Sequence, residues 1–147
     1  MRNIIDTSEI IEFAESLNDN TRQMKRLEKK MLREQGTKLR RKTAQRARAS
    51  VKKTAVHRRR YERAAGQYHK SIKRGKAYDK SGALQIRVYS NDPIAHLIED
   101  GYTPKLRDGT SGTHQPGKKV FEKAREHFEP EFHAAIENFV DEVMRNL

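Results

Sequence analysis

Residues 83–101 read Ala83-Leu84-Gln85-Ile86-Arg87-Val88-Tyr89-Ser90-Asn91-Asp92-Pro93-Ile94-Ala95-His96-Leu97-Ile98-Glu99-Asp100-Gly101. The stretch from Ala83 to Tyr89 alternates. Leu84, Ile86 and Val88 fall on one face and Gln85, Arg87 and Tyr89 on the other, which is the period of a half-buried strand. Asp92 is then placed as an N-cap, with Pro93 at the first helical position. Gly101 is placed to end the short helix as a left-handed C-cap. A strand running directly into a short helix predicts a mixed α+β fold.

Working outward, Arg63 to Ser81 is a polar connector containing Gly66 and Gly75. Within it, residues Tyr68 to Tyr78 are the candidate antiparallel partner of the strand, across Asp79-Lys80-Ser81-Gly82. Downstream, Tyr102 to Gly117 has the Gly and Pro content of a loop. From about Pro116 a second long helix is expected. Phe121, Ala124, Phe128, Phe132, Ala135, Phe139, Val143 and Leu147 recur at steps of three and four, and Pro130 should kink or split that helix.

Towards the N-terminus, Asp6 with Glu9 forms a D-x-x-E variant of the capping box. Ile10, Phe13, Leu17, Met24, Leu27 and Met31 follow as one helical stripe, interrupted by Asn18-Asp19-Asn20. After Gly36 the stripe thins to Leu39, Ala44, Ala47, Val51 and Ala55. No proline precedes Pro93, so a helix is expected from about Thr7 to the mid-50s, roughly 70 Å long at 1.5 Å per residue. Such a helix cannot bury its stripe on a small domain. It packs on another subunit or bends back near Gly36. The division is 1–60, a long basic helical region, and 61–147, a small α+β domain.

Of the 147 residues 34% are hydrophobic and 35% charged, and the mean hydropathy is −1.04, so the core is small. No window approaches the roughly 18 apolar residues of a membrane span, and no signal segment is expected at the start. The absence of cysteine excludes disulfides and thiolate metal sites and fits assembly in a reducing cytoplasm. Net charge is +12. Arg22 to Lys76 holds 22 Lys and Arg against three acids, a net +19, which leaves −7 elsewhere. This asymmetry points to a polyanion or an acidic protein surface as a partner for one half. Arg40-Arg41-Lys42, Lys52-Lys53 and Arg58-Arg59-Arg60 are the candidate contacts with DNA or an acidic partner. Aromatic residues are almost missing before Tyr61, so stacking on single-stranded bases is poorly served.

Signs of catalysis are weak. Gly112 to Lys118 has the spacing of a phosphate loop, but Lys119 follows where a Mg²⁺-binding hydroxyl belongs. Six histidines are scattered, with no H-E-x-x-H. Glu99 and Asp100 read more simply as a helix end than as an acid/base pair. No enzyme, cofactor or metal is expected.

Three pieces resemble the HK97 gp10-like family of tailed-phage head–tail joining proteins. Gly66-Gln67-Tyr68-His69-Lys70-Ser71-Ile72 is similar to the family's T-G-x-Y/L-x-x-S-I/W segment. Ala95-His96-Leu97-Ile98-Glu99-Asp100-Gly101-Tyr102 is similar to its A/T-H-L-x-E-x-G-H/T signature. His114-Gln115-Pro116-Gly117, followed by Phe121 and Ala124, is similar to its entry to the last helix. Order and spacing agree, over roughly Tyr61 to Leu147, and the N-terminal helix fits in kind. Of the family's Pro-x-x/Asp-Thr-Gly turn, only the glycine survives in Arg63-Ala64-Ala65-Gly66.

The motif residues Gly66, Tyr68, Ser71, His96, Leu97, Glu99, Gly101, Pro116, Gly117 and Phe121 are expected chiefly to build the fold. His96 and Glu99, three apart on one helix, are within reach of a mutual hydrogen bond. Leu97 and Ile98 are expected to join the face of Leu84, Ile86 and Val88 in the core. The resemblance implies a structural virion protein. It would form a homo-oligomeric ring at the head–tail junction, as a neck (head–tail connector) or tail-completion subunit, between head-side connector proteins and tail proteins, with DNA passing through and no membrane contact. The loop Tyr102–Gln115 is the favoured contact with neighbours. The rival reading is a basic accessory protein that binds DNA or RNA without sequence preference. The fold expected is α+β: a small antiparallel sheet packed on a C-terminal helix, with a long basic N-terminal helix.

Overall fold

The structure is a computed structural model that describes residues 8–146, with side chains at Glu15 and from residue 19 onward. The Asp6 capping box lies outside the described residues. The chain is α+β. Helix α1, Ser8–Ser50, is followed by strands β1 (Val56–Arg58) and β2 (Tyr61–Arg63) and the short α2 (Gln67–Lys70). Strands β3 (Ile72–Arg74), β4 (Tyr78–Lys80), β5 (Ala83–Gln85) and β6 (Val88–Ser90) lead to α3 (Ala95–Asp100). Then come β7 (Gly101–Tyr102), β8 (Gln115–Pro116) and α4 (Val120–Arg145). Among the described residues no helix is long and apolar enough to cross a membrane.

Helix α1 runs 43 residues without a break, about 64 Å. It passes straight through Asn18-Asp19-Asn20 and through Gly36. The expected bend at Gly36 does not occur, because this glycine serves close packing. A Cβ there would sit 3.1 Å from the Ile86 Cδ1 atom and 3.3 Å from the Arg74 Cδ atom. Its lower helix propensity, about 1 kcal/mol against alanine, is offset by letting the sheet lie directly on the helix. The helix ends at Ser50, short of the mid-50s. Arg58-Arg59-Arg60 therefore belong to a β-hairpin, since β1 and β2 pair with Arg58 opposite Tyr61.

The expected strand Ala83–Tyr89 is split into β5 and β6. β4 pairs with β5 (Tyr78 opposite Gln85), and β3 pairs with β6 (Ile72 opposite Ser90). Three residues, Gly75 to Ala77, face two, Ile86 and Arg87, between the ladders, so the register slips as at a β-bulge. The alternation survives the slip: Leu84, Ile86 and Val88 are half-buried, and Gln85, Arg87 and Tyr89 are exposed. Ser81 and Gly82 both take positive φ, 54° and 82°, as a type I′ hairpin turn requires. Tyr68 lies in α2, outside the pairing. Among the described residues the expected sheet is thus four separate two-stranded antiparallel pairs.

Helix α4 packs antiparallel on α1. Lys42 pairs with Glu131 and stands 5.7 Å from the Phe128 ring centroid. The small Ala44 and Ala47 of α1 and Val120, Ala124 and Phe128 of α4 are buried. α4 begins at Val120, after Lys119 at φ 51°, and not at Pro116. It continues through Pro130 in one piece. Pro130 and Glu126 are both exposed, so the carbonyl that loses its amide donor faces water. The centre of the core is Ala47, Tyr68, Ile72 and Val120, with Val51, Val88, Ala95, Ile98 and Phe121 around it. The sheet meets both long helices there.

Candidate functional site

The motif residues converge on a clasp between α3 and the start of α4. Gly101 has φ 83° and ψ 175°. The positive φ expected of a C-cap is present, but the extended ψ sends the chain straight into β7. Gly101 then pairs with Pro116 of β8. A Cβ on Gly101 would lie 2.6 Å from the Gly117 nitrogen, and one on Gly117 would meet the Glu99 carbonyl oxygen and lie 2.6 Å from the Asp100 carbonyl carbon. Two backbones touch here, and only glycine permits it. The segment after Gly117 takes up carbonyls at the end of α3: the Lys118 amide donates to Ile98 O at 2.7 Å and the Lys119 amide to Glu99 O at 3.2 Å.

Glu99 completes the clasp. Its Oε2 accepts from the Phe121 amide at 3.0 Å and its Oε1 from the Glu122 amide at 2.9 Å. A helix leaves its first four amides unpaired, and negative charge is favoured there. The chain's own residue at that position, Lys119, supplies no side-chain cap. Glu99 caps α4 from another helix. With both oxygens so used, the expected His96–Glu99 hydrogen bond is not formed, and His96 is exposed. Leu97 is half-buried and Phe121 packs against the core. Pro116 is exposed in the two-residue strand β8, where a missing amide is tolerated.

A second cluster holds the other motif. Gly66, at φ 75°, opens α2. Tyr68 is buried, Ser71 is buried and Ile72 is fully enclosed. The Ser71 hydroxyl donates to Tyr68 O at 2.5 Å and lies 2.5 Å from the Ser90 hydroxyl. Ser90 Oγ accepts from the Asp92 amide at 3.2 Å. Asp92 Oδ1 accepts from the Ile94 amide at 3.2 Å. However, α3 opens at Ala95 with Ile94 in the N-cap position, so Asp92 and Pro93 precede the helix and do not cap and open it as expected. The Asp92 carboxylate is gripped by Arg63 through two hydrogen bonds, one of 2.8 Å. The Arg63 hydrogen bonds hold the Asp92 carboxyl below the usual carboxylate range, against the opposing effect of burial. Burial, with Glu99 and Asp92 nearby, pushes the Tyr68 phenol up, and its hydroxyl has no partner. Nothing local in the sequence marks the Arg63–Asp92 pair, since Arg63 is one of many arginines in a basic run.

The basic residues do not form one patch. Arg40 Nε donates to Ile72 O at 3.2 Å, which fastens β3 to α1. Lys42 is committed to Glu131, and Arg41 faces solvent. Lys52 and Lys53 are exposed beyond the end of α1, with the Lys53 stem over Gly66. Arg58, Arg59 and Arg60 stand exposed at the tip of the β1–β2 hairpin.

The segment read as a loop, Tyr102–Gly117, is an ordered hairpin. Beyond β7 and β8, Lys105 bridges Ser111, the Gly112 amide donates to Pro104 O at 2.7 Å, and the Leu106 amide donates to Thr110 O at 2.8 Å. Leu106, 52% exposed, sits at its tip.

A family model described as "Bacteriophage HK97-gp10, putative tail-component" matches residues 18–101, more than half of the chain. The match takes in most of α1 and both motifs up to Gly101, and stops before Pro116 and Gly117. The resemblance seen over Tyr61 to Leu147 therefore reaches further towards the N-terminus than the motifs alone indicate. No curated protein and no solved structure matches the chain.

Proposed function

Because the chain belongs to the HK97-gp10-like family of bacteriophage tail components, we propose that it is a non-enzymatic structural subunit of a tailed-phage virion. It forms a homo-oligomeric ring at the head–tail junction, between head-side connector proteins and tail proteins, and DNA passes through that ring. The family match carries this reading.

The architecture supports it physically. The clasp spends the motif residues on rigidity and leaves two extended features to meet neighbours, the hairpin of residues 101–116 and the outer part of α1. A core centred on four buried residues is small for a chain with a 43-residue helix, and such helices gain stability from packing against partners. A second reading, a nucleic-acid-binding accessory protein, is favoured by one observation: Arg58 at the end of β1 and Arg59 and Arg60 in the two-residue turn after it are all exposed.

Electron microscopy of lysates from the parent phage with this gene silenced tests the proposal. Filled heads and finished tails lying unattached are expected. Intact infectious particles would refute the joining role and promote the nucleic-acid reading.

A further inference from the structure

An open apolar groove of about 540 Å³ runs between α1, β5 and α4, floored by Leu32, Leu39, Leu84, Ile86, Phe128 and Phe132. Gln35 also lines it; that residue is 7% exposed, and its side-chain oxygen has no hydrogen-bond partner. Arg125, Glu129 and His133 stand on the rim, with His133 Nε2 3.6 Å from Glu129 Oε1.

The same chain carries a segment whose apolar spacing suits that groove and whose charge is opposite to that of the whole chain. Residues 8–20 contain Glu9, Glu12, Glu15 and Asp19 and no Lys or Arg, a net −4, while the chain as a whole is +12. At helical spacing the four acids share one side. Ile10, Phe13 and Leu17 fall on another, at i, i+3 and i+7, the anchor pattern of a helix that lies in an apolar groove.

This segment cannot reach its own groove. The Lys42–Glu131 pair fixes the antiparallel register, and Leu27 and Val143 line one furrow near the end of α4. Helix α4 stops at Arg145, so residues 8–25 of α1 run about 27 Å past it. The groove lies beside residues 32–39 of the same straight helix. An acidic, amphipathic arm that overshoots a basic body fits a second copy of that body.

We propose that residues 8–19 form an arm that lies in this groove on a neighbouring copy of the chain, with Ile10, Phe13 and Leu17 as anchors. This rests on the homo-oligomeric reading above and names the contact. It is a heterologous contact, the kind that closes into rings.

The natural absence of cysteine makes the test direct. Leu17→Cys and Leu84→Cys are made separately in the full chain, and the variants are oxidised alone and mixed. A disulfide-linked dimer formed only in the mixture, and reduced at least fivefold when Phe13→Glu is added to the arm, is expected. Cross-linking of Leu17→Cys with itself would show arm-to-arm pairing and overturn the contact. A mixture that fails to cross-link, or that ignores Phe13→Glu, also overturns it. Light scattering on the unmodified chain separates the two levels: a ring-sized mass without cross-linking leaves the ring and refutes the arm. Cross-linking in the mixture, with the unmodified chain scattering light as no more than a dimer, keeps the arm and refutes the ring. Circular dichroism on each variant confirms that α1 is intact.

Discussion

Replacing Glu99 by alanine removes both oxygens that cap α4 and leaves the Phe121 and Glu122 amides without acceptors. The Glu122 amide can turn to water, but the Phe121 amide is partly buried. Loss of an N-cap costs about 0.5–2 kcal/mol. Loss of a carboxylate at a helix N-terminus adds about 0.3–1 kcal/mol. Glu99→Ala should therefore destabilise the chain by about 1.5–2.5 kcal/mol. Glu99→Gln keeps one acceptor oxygen and loses the charge, so about 1 kcal/mol is expected. Urea unfolding gives the comparison, with the midpoint falling and the slope unchanged. In a chain of this size the alanine variant should also melt roughly 5 °C lower. An alanine variant within about 0.5 kcal/mol of the parent would refute a cap supplied by α3, and equal losses for Ala and Gln would refute the second hydrogen bond.

Gly117→Ala, and separately Gly101→Ala, should each cost at least about 2 kcal/mol, because the added carbon meets backbone of the opposing segment, the end of α3 for Gly117 and β8 for Gly101. The double variant should cost less than the sum, since one contact is broken twice; additive denaturation midpoints would refute the shared contact. Arg63→Ala should cost about 3–5 kcal/mol by stranding a buried carboxylate, and Asp92→Asn should cost less, measured by the same unfolding. Asp92 has its folded pKa lowered, so its contribution is complete above the unfolded value near 3.9. It is lost as pH falls through the lower folded value, where the unfolded state binds the proton first. Acid titration of Asp92→Asn should lack that loss, and an unchanged acid profile would sink the assignment. Reversing Arg58, Arg59 and Arg60 to glutamate should leave the melting temperature within about 2 °C, as for exposed sites, while impairing virion assembly or DNA retention. Normal phage yield with normal DNA content would show that the tip contacts neither.

The long elements were legible because their signals are local. The stripe from Met24 to Met31 carries an uninterrupted helical period, and the phenylalanine steps of α4 keep theirs across Pro130. The alternation at Leu84, Ile86 and Val88 was correct in its faces, although the bulge cut its hydrogen bonding in two. What sequence could not supply were partnerships at distance. Glu99 sits at a helix end and reads as a terminus, but its bonding lies with Phe121 and Glu122. Arg63 is one cation in a basic run, and nothing local marks it as the mate of Asp92. The β1–β2 hairpin escaped detection because Arg59-Arg60 carries none of the Gly or Asn that usually announces a tight turn, and its charge blends with the helix before it. Gly36 misled in the opposite sense. A mid-helix glycine looks like a hinge until the Ile86 and Arg74 side chains are found occupying the space where its Cβ would be.

A hairpin sealed at its base is an exchangeable module. Glu99, Gly101, Gly117 and the Lys118 and Lys119 amides lock the two ends of residues 101–116 together, independently of what lies between them. Closing a longer loop costs only about 0.6 kcal/mol for each doubling of length. The residues from Thr103 to His114 can therefore lengthen, shorten or change their chemistry while the body stays as it is. Partner specificity can diverge at that tip without the fold being rebuilt around it.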